Sequence, residues 1–332
     1  MINELIEMLG YCRPAGSDTE RDFIAKYLTP LGCYFDDAGN VIKIVGNNTS
    51  VIWSSHTDTV HRNEGIVSIL VDNDFARVDL TTGATCLGAD CTTGVWVMMQ
   101  MIRAEVPGLY IFHRAEEVGC VGSRHISKHS PTLLANAKMA IAFDRYGTNS
   151  IITHQMAERC CSDEFTDSLA DQLWGFKGDD GGSFTDTYSY IDQIPECTNI
   201  SVGYYNQHTT SENQDLLFAK RLADKMTKID TSKLVVKRDP SVTEYCGWGS
   251  MMGYGYGHRS ETSYLDHYDD WMSNDSRVGQ GSFIPKGRVS LTSLVKDHPD
   301  EAADMLDMLG IGVTDFQDYI EQNYYGGNAY GG

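Results

Sequence analysis

The sequence has little positive charge and no long apolar run, and both shortages exclude classes of partner. Lys and Arg number 26 against 46 Asp and Glu, which gives a formal net charge of −20. Such a chain repels the phosphates of nucleic acids and anionic membrane surfaces. No apolar run approaches the roughly 18 residues of a membrane span. We therefore expect neither a nucleic acid nor a membrane as partner.

The chain also lacks the cysteine pattern of a secreted protein. Its nine cysteines are an odd number, no C-x-x-C pair occurs, and the adjacent Cys160 and Cys161 are a poor start for a disulfide framework. The N-terminal segment is too acidic, and its apolar part too short, for a signal peptide. The composition predicts a cytoplasmic protein with mostly free thiols.

Apolar runs that alternate with amphipathic segments predict an α/β fold. The predicted strands are 40–46, 50–55, 108–113, 137–143 and 199–205, with a hairpin over 65–80 that turns near Asn73. The predicted helices are one that begins at the capping box of Ser17 and Glu20, one over 92–104 and one over 214–229. The runs over 108–113 and 137–143 are continuously apolar, which is typical of strands covered on both faces. The alternation predicts a largely parallel sheet.

The composition changes after about residue 232 and predicts a chain of four parts. The segment that follows is rich in Gly, Tyr and Ser and poor in aliphatic residues, so it cannot build much core. We predict a globular domain over 1–231, an irregular linker over 232–288, a small helical hairpin over 289–324 and a flexible tail over 325–332. The C-terminal region is a candidate surface for a protein partner or for self-association.

Two adjacent glutamates, Glu116 and Glu117, follow the apolar strand over 108–113. Adjacent side chains of an extended segment point to opposite sides. The two carboxylates therefore cannot close on one bond as the acid and base of a glycosidase do. One could bind a cation while the other reaches a water on that cation, and this arrangement needs further ligands elsewhere.

Further ligand candidates stand where the other predicted strands end. In open α/β sheets, ligand sites lie outside the carboxyl ends of the strands. The residues that follow or end these strands are His56 and Asp58, Glu116 and Glu117, Asp144, and His208. Asp90 lies in a Gly-flanked loop that opens the helix over 92–104, where a carboxylate is electrostatically favoured.

Two histidines and several carboxylates suit zinc, or manganese or cobalt, at a hydrolytic site. With one histidine per metal, two ions that share a bridging carboxylate are more natural than one ion. Asp90 is the best bridge, because its loop lies centrally in the order of ligands. Asp58, two residues beyond His56, would orient the imidazole.

Five segments carry a resemblance to the co-catalytic di-zinc exopeptidases, the aminopeptidase and carboxypeptidase superfamily. The segments are SSHTDTV, LGADCTTGV, AEEVGCVGS, AFDRYG and YYNQHTTSE, in the order and rough spacing of that superfamily's metal-site motifs. The resemblance implies a three-layer α/β/α sandwich with a mixed, largely parallel central sheet. It also implies that Asp90 bridges two ions, that His56 and Asp144 complete one site, and that Glu117 and His208 complete the other. Glu116 would be the general base and Asp58 would support His56.

The spacing between motifs resembles the single-domain aminopeptidase branch. The intervals in which other branches insert a dimerisation domain or a lid are short in this chain. One departure is Cys91, which follows the bridging residue where the family usually has Asp or Asn. That peptide bond is cis in relatives, so we expect Asp90–Cys91 to be cis only if the metal site is intact. Cys91 itself is interpreted as a packing residue rather than a nucleophile.

The resulting prediction is a di-metal hydrolase of peptide or amide bonds, an aminopeptidase-like exopeptidase. Its substrate would be a peptide or an N-acyl or aminoacyl small molecule. Two alternatives stay open: a deacylase or amidohydrolase on the same site, and a catalytically silent binding or assembly protein that kept the fold. A nucleic-acid enzyme that uses two metals is disfavoured by the charge and by the lack of a basic stripe.

Overall fold

A computed structural model of the chain describes residues 2–245 and residue 299. The chain divides into two compact units, Met1–Gly257 and His258–Gly332, and all described residues except residue 299 belong to the first. Apart from residue 299, the predicted helical hairpin over 289–324 and the predicted tail over 325–332 lie outside the described residues, as do residues 246–288 of the predicted linker. The four-part division of the chain stays a prediction. Among the described helices, none combines the length and apolar character needed to cross a membrane.

The described residues form seven α-helices and sixteen strands. The helices are α1 Ile2–Leu9, α2 Asp18–Phe23, α3 Ala89–Arg103, α4 Val121–His129, α5 Pro131–Leu134, α6 Asp163–Ala170 and α7 Leu216–Met226. The strands are β1 Tyr11–Cys12, β2 Tyr34–Phe35, β3 Val41–Val45, β4 Val51–His56, β5 Gly65–Ile66, β6 Ile69–Asp72, β7 Phe75–Val78, β8 Gly108–His113, β9 Met139–Arg145, β10 Ser150–Ile152, β11 His154–Gln155, β12 Glu158–Arg159, β13 Lys177–Asp179, β14 Glu196–Ser201, β15 Tyr204–Tyr205 and β16 Asn213–Asp215.

Eight strands form the central sheet, in the order β13-β10-β14-β9-β4-β8-β3-β2. The inner strands β14, β9, β4 and β8 pair in parallel, whereas β2 and β3 add antiparallel pairs at one side. The carboxyl ends of the four inner strands therefore meet at one edge of the sheet. This mixed, largely parallel sheet confirms the predicted fold class.

Helices cover both faces of the sheet, because each inner strand alternates its apolar side chains between two separate cores. Trp53, Tyr110 and Phe112 belong to one buried cluster, together with side chains from α1, α3 and α7. Their neighbours Ile52, Leu109 and Ile111 belong to a second cluster with Ile126 of α4 and Leu134 of α5. A strand buried on both faces needs no polar alternation, and the result is the predicted three-layer α/β/α sandwich.

Two predicted strand segments have different outcomes. The hairpin over 65–80 is confirmed: β6 and β7 pair antiparallel and turn at Asn73 and Asp74, whose φ angles are 48° and 66°. The prediction of a single strand over 199–205 is wrong, because β14 ends at Ser201 and β15 begins at Tyr204. Gly203 has a φ of 94°, and its N–H donates to Gly147 O at 2.8 Å. The chain leaves the central sheet at this turn, so that β15 pairs with β16 in a four-stranded sheet instead.

Helix α3 lies against β4 and β9, and its first turn brings Asp90 to the sheet edge. Residues Ala89 through Ile102 are all buried, as expected for a helix with little polar surface. Gly94 allows the close approach to β9, since a Cβ there would overlap Phe143 O and Cys91 Sγ. The Asp90–Cys91 peptide bond is cis, as the resemblance implies.

Candidate metal centre

His56 ends strand β4, and Asp58 holds its imidazole. His56 is 1% exposed and Asp58 is completely buried. The His56 Nδ1 atom lies 3.1 Å from the Asp58 carbonyl oxygen and 3.4 Å from Asp58 Oδ1. If Nδ1 carries the ring proton, its N–H donates a hydrogen bond to these oxygens. The other ring nitrogen, Nε2, then presents a lone pair.

Glu116 and Glu117 lie in a turn just beyond β8, at the neighbouring strand end. The chain turns at Ala115, whose φ is 56°. The Asp58 carboxylate then accepts the backbone N–H of Glu116 at 3.0 Å and that of Glu117 at 3.1 Å. The same carboxylate therefore fixes the backbone of both glutamates and contacts the ring of His56.

Asp90 is held in place by Glu212, a residue to which the sequence analysis assigned no role. The Glu212 carboxylate accepts four consecutive backbone N–H groups, from Leu87, Gly88, Ala89 and Asp90, at 2.9 to 3.2 Å. Glu212 is 1% exposed, so this carboxylate fixes the loop that leads into α3.

Asp144 lies near the carboxyl end of β9, where its neighbours hold both its backbone and its side chain. Thr185 donates its hydroxyl proton to Asp144 Oδ2 at 2.7 Å. The Asn199 side chain accepts the N–H of Asp144 and donates to its carbonyl oxygen, each at 2.9 Å. Tyr204 donates to the same carbonyl at 3.0 Å. These contacts occupy Oδ2 and the backbone of Asp144, and they leave Oδ1 facing His56.

His208 lies in the loop between β15 and β16, where its φ is 63°. Its ring reaches back to the sheet edge from the neighbouring four-stranded sheet. Of the histidines that belong to the site, it is the more accessible one, because 47% of its side chain is exposed.

The five predicted ligands form one continuous chain of side-chain contacts. His56 Nε2 lies 3.1 Å from Asp90 Oδ1 and 3.3 Å from Asp144 Oδ1. His208 Nε2 lies 3.2 Å from Asp90 Oδ2 and 3.3 Å from Glu117 Oε1. Asp90 thus faces both histidines, one with each oxygen. Glu116 joins the same group, since a carboxylate oxygen of Glu116, one of Glu117 and a nitrogen of His56 lie within 4.8 Å of one another.

The carboxylates of the site crowd together with little positive charge. Burial, the largest cause, raises the pKa of Glu116 well above its usual range, and the charges of Asp144, Asp186 and Glu117 raise it further. Burial and the charge of Asp90 raise the pKa of Glu117 and raise that of Asp144 to about 7. Burial opposes ionisation of Asp90 too, but hydrogen bonds from His208 and His56 lower its pKa.

This set of donors fits divalent cations. Imidazole nitrogens and carboxylate oxygens are ligands that Zn²⁺, Mn²⁺ and Co²⁺ accept. Glu117 Oε1 is buried and makes no hydrogen bond of good geometry among the described residues, although the predicted ligand His208 has its Nε2 3.3 Å away. A buried carboxylate oxygen without a hydrogen bond is costly unless another charge compensates it. The residues present therefore suit a metal ion, and Asp90 suits a position shared by two ions.

A cavity of about 310 Å³ opens in front of these groups. Its lining includes Asp90, Glu116, Glu117, Asp144, Arg145, Tyr146, Phe184, Tyr204, Gln207 and His208. Ligand pockets in proteins commonly measure about 300–1,000 Å³. The volume lies near the lower end of that range, so a short ligand would fill the cavity.

Three other candidate side chains lie outside this set of contacts or have other partners. Cys91 donates its thiol to Phe143 O at 2.9 Å, and burial raises its pKa well above the usual range, as suits a packing residue. His113 is fully buried and lies 2.8 Å from the hydroxyl of Tyr190. His154 contacts Thr153 Oγ1 at 2.9 Å. Both histidines therefore have partners outside the set of predicted ligands.

The sequence analysis missed residues that support the ligands. Glu212 is the last letter of the motif YYNQHTTSE, so its position was visible but its role was not. Thr185 and Asn199 lie in segments with no chemical signature. Arg145 directly follows Asp144 and lines the cavity, and only this adjacency could have identified it.

Solved structures with the same fold are aminopeptidases and related peptidases. Aminopeptidase PepT from Bacillus cereus aligns with a TM-score of 0.57 and 15% identity, over 68% of this chain and 96% of that protein. A tripeptidase from Staphylococcus aureus gives 0.53 and 14%, over 70% and 97%. The TET1 peptidase from Pyrococcus horikoshii gives 0.51 and 13%, over 68% and 98%. At these identities the likeness establishes the fold.

The fold and the converging donor groups support a class of protein, the metal-dependent exopeptidases of the co-catalytic zinc type. The sequence model of peptidase family M28 matches residues 40–193, and this match supports the resemblance for the four motifs that lie within that range. The matched range contains His56, Asp90, Glu116, Glu117 and Asp144, and it ends before His208. No curated protein sequence matches the chain.

Proposed function

We propose that the protein is an aminopeptidase-like exopeptidase in which Glu116 activates a water for attack on a peptide carbonyl. The observation that carries the proposal is the contact chain from Asp144 through His56, Asp90 and His208 to Glu117. Five separate parts of the chain supply these side chains. Their meeting at one sheet edge, beside a cavity, supports a hydrolytic centre.

The residues would hold two divalent ions, with zinc as the first candidate and manganese or cobalt as alternatives. Asp90 would be shared, His56 and Asp144 would complete one set of ligands, and Glu117 and His208 would complete the other. When bound, such ions polarise a carbonyl and lower the pKa of a water towards about 7.

Glu116 would be the proton carrier. It lines the cavity and lies outside the contact chain of the five ligands. Its described side-chain hydrogen bond is a long one, from Cys120 Sγ to Oε1 at 3.6 Å, which leaves acceptor sites on the carboxylate for a proton. Burial raises its pKa, which brings a carboxyl group closer to the working range of a general base. Glu116 would take the proton of the attacking water and later give it to the leaving amine. Asp58 contributes by fixing the backbone of Glu116 and the ring of His56.

The size of the cavity supports short substrates that carry a scissile amide near one end. An N-acyl or aminoacyl small molecule would meet the same groups, so a deacylase remains the alternative activity. A panel of free-amine peptides and their N-acetylated counterparts separates the two. Preference for the free amine indicates an aminopeptidase, and preference for the blocked amine indicates a deacylase.

Glu116→Gln tests the assigned base. Because general-base catalysis contributes about 10²–10⁴-fold, we expect kcat to fall by at least 10²-fold while the protein still binds two metal ions. Turnover is measured on the peptide panel and metal content by elemental analysis of the dialysed protein. Lys228→Gln on the molecule's surface serves as the control and should keep the wild-type rate.

Two results would contradict the proposal. Full turnover by the Glu116→Gln variant would remove Glu116 from its role. Failure of the wild-type protein to bind any divalent ion at saturating zinc would instead favour a silent binding or assembly protein.

A protein partner or self-association through the C-terminal region stays a proposal, as does a cytoplasmic location. The eight described cysteines are all free thiols, which supports a reducing compartment.

A further inference from the structure

Arg145, whose guanidinium group is permanently charged, directly follows the predicted ligand Asp144. Its side chain is 10% exposed, and the residue lines the cavity. Among the described lining residues it is the one with a permanent positive charge. The other basic residue of the lining, His208, can be neutral and is a predicted ligand. The proposed mechanism gives this cation no task.

The contacts of Arg145 hold it in position without using up its hydrogen-bond donors. Nη2 donates to Gly181 O at 2.9 Å and to the Tyr146 hydroxyl at 3.3 Å. The guanidinium carbon lies 4.1 Å from the centre of the Tyr146 ring. The group is thus held by a carbonyl and an aromatic ring, together with a long contact to the Asp179 carboxylate.

Among the described residues, Asp179 is the carboxylate that pairs with this cation, and the pair is long. Asp179 Oδ2 lies 3.5 Å from Arg145 Nη2, beyond the roughly 2.7–2.9 Å of a strong charge-assisted hydrogen bond. The Asp179 carboxylate also accepts from Ser150 Oγ at 2.6 Å and from Gly181 N at 2.9 Å, so it is shared among several donors. Arg145 Nε is buried and has no hydrogen-bond partner among the described residues.

The loop that carries Gly181 is itself fixed, so Arg145 is preorganised. Gly182 forms a β-bridge with Gln155, and a Cβ on Gly182 would overlap His154 O. Thr185 N donates to Gln155 Oε1 at 3.1 Å. A buried cation with unused N–H groups and rigid supports recognises an anion well, because little ordering remains to be done on binding.

We propose that Arg145 binds a carboxylate of the substrate and thereby determines specificity. The planar guanidinium matches a carboxylate in geometry and charge. Such a carboxylate can be the C-terminal group of a very short peptide or an acidic side chain. The inference rests on the proposed hydrolytic function, and it names the substrate class as short peptides that carry this negative group.

The test compares matched substrates in wild-type protein, Arg145→Gln and Arg145→Lys. Leu-Leu against its C-terminal amide isolates the terminal carboxylate. Glu-Leu-amide against Gln-Leu-amide isolates the acidic side chain. We expect the wild-type protein to prefer the carboxylate in one pair by about 10- to 100-fold in kcat/KM, mainly through KM, as for a hydrogen bond between charged groups. That ratio should fall to near one in Arg145→Gln and take an intermediate value in Arg145→Lys.

Calorimetry provides a second readout that does not depend on turnover. The full-length Glu116→Gln variant is titrated with each member of the two pairs, with and without Arg145→Gln. The Kd ratio within the preferred pair should collapse in the double variant. Arg221→Gln, on the exposed face of α7, is the matched arginine control and should keep the wild-type ratio. If Arg145→Gln is unfolded, as judged by its thermal midpoint, Arg145→Lys alone decides, and it should lower the ratio at least fivefold.

The outcomes separate this inference from the proposed function. Hydrolysis with equal kcat/KM in both pairs, or a preference that survives Arg145→Gln, overturns the role of Arg145 and leaves the hydrolase in place. No hydrolysis of any substrate overturns the proposed function. In that case equal Kd values within each pair also overturn carboxylate recognition, whereas unequal values that depend on Arg145 support it.

Discussion

Glu212 shows how much of the site depends on one residue that never touches a metal ligand's side chain. Its carboxylate accepts four backbone N–H groups in a row. These N–H groups open α3, where a negative charge is also favoured by the helix dipole. The loop keeps Asp90 between the two histidines only while these bonds are made.

We predict that Glu212→Gln weakens metal binding. The amide offers one acceptor oxygen in place of two, and its NH₂ group would face N–H donors, so buried donors lose their partners at about 1–3 kcal/mol each. Changes to groups that orient metal ligands typically lower metal affinity about 10–100-fold, and we expect that range here. Competition with a chelating dye measures the affinity.

The matched control for this prediction is Glu64→Gln. Glu64 also accepts two backbone N–H groups, from Asp18 and Thr19 at 2.7 and 3.3 Å, but it lies on the surface and its partners are at the start of α2 rather than in the loop of Asp90. Its substitution should leave the metal affinity within twofold of wild type. Equal metal affinity in both variants would remove the supporting role of Glu212.

At the scale of elements, the apolar runs identified the inner strands well. The predicted strands over 108–113 and 137–143 match β8 and the main part of β9, because a strand covered on both faces needs an unbroken apolar run. The region between β9 and β14 gave no comparable signal. It holds strands of two or three residues and the short helix α6, and such elements are defined by tertiary contacts rather than by their own periodicity.

We predict that Gly94→Ala destabilises the protein, because Gly94 allows α3 to pack closely against β9. The added methyl group would overlap the Phe143 carbonyl and Cys91, and overpacking of this kind costs about 1–3 kcal/mol, occasionally more. Because α3 carries Asp90 and β9 carries Asp144, we expect both the stability and the metal affinity to fall. Denaturant unfolding and dye competition measure the two effects.

Gly178→Ala is the control for that substitution. A Cβ at Gly178 would meet the methyl groups of Thr153 and Thr166 at 3.3 Å, where small side-chain shifts suffice. It should cost less stability than Gly94→Ala and leave metal affinity unchanged. Wild-type stability and metal affinity in Gly94→Ala would show that α3 can move away from the sheet without consequence.

At the scale of the whole molecule, the sequence predicted which ligand candidates gather, because strand ends of a parallel sheet share one edge. His56, Glu117 and Asp144 follow from that rule alone. His208 was placed by the same rule at the end of the predicted strand over 199–205, but it comes from the loop after β15 in a different sheet, so for this residue the motif order was the better guide. Residues that support the ligands, such as Thr185 and Asn199, come from segments whose position depends on the folded chain.

We predict that metal binding stabilises the whole domain. Ligands that bind only the folded state add about 2.7 kcal/mol at 100 times Kd, and 1 kcal/mol shifts the midpoint of a domain of this size by about 2–4 °C. Each ion should therefore raise the thermal midpoint by about 5 °C or more. Scanning calorimetry with excess zinc and with a chelator measures the shift.

His208→Ala and Asp90→Asn provide the comparison for this shift. Loss of His208 removes one ligand of one ion and should reduce the effect of zinc, whereas loss of the shared carboxylate should remove most of it. The same zinc-dependent shift in wild type and in Asp90→Asn would mean that the ions bind elsewhere.

One short stretch of chain, residues 181–185, contacts both Arg145, through Gly181 O, and Asp144, through Thr185 Oγ1. Anyone who redesigns this protein for new ligands would find selectivity and turnover physically linked along that stretch. Directed-evolution libraries should accordingly keep Gly181, Gly182 and Thr185. They can vary Ser183 and Phe184, whose side chains are exposed and which line the cavity without making a hydrogen bond to either of the two residues.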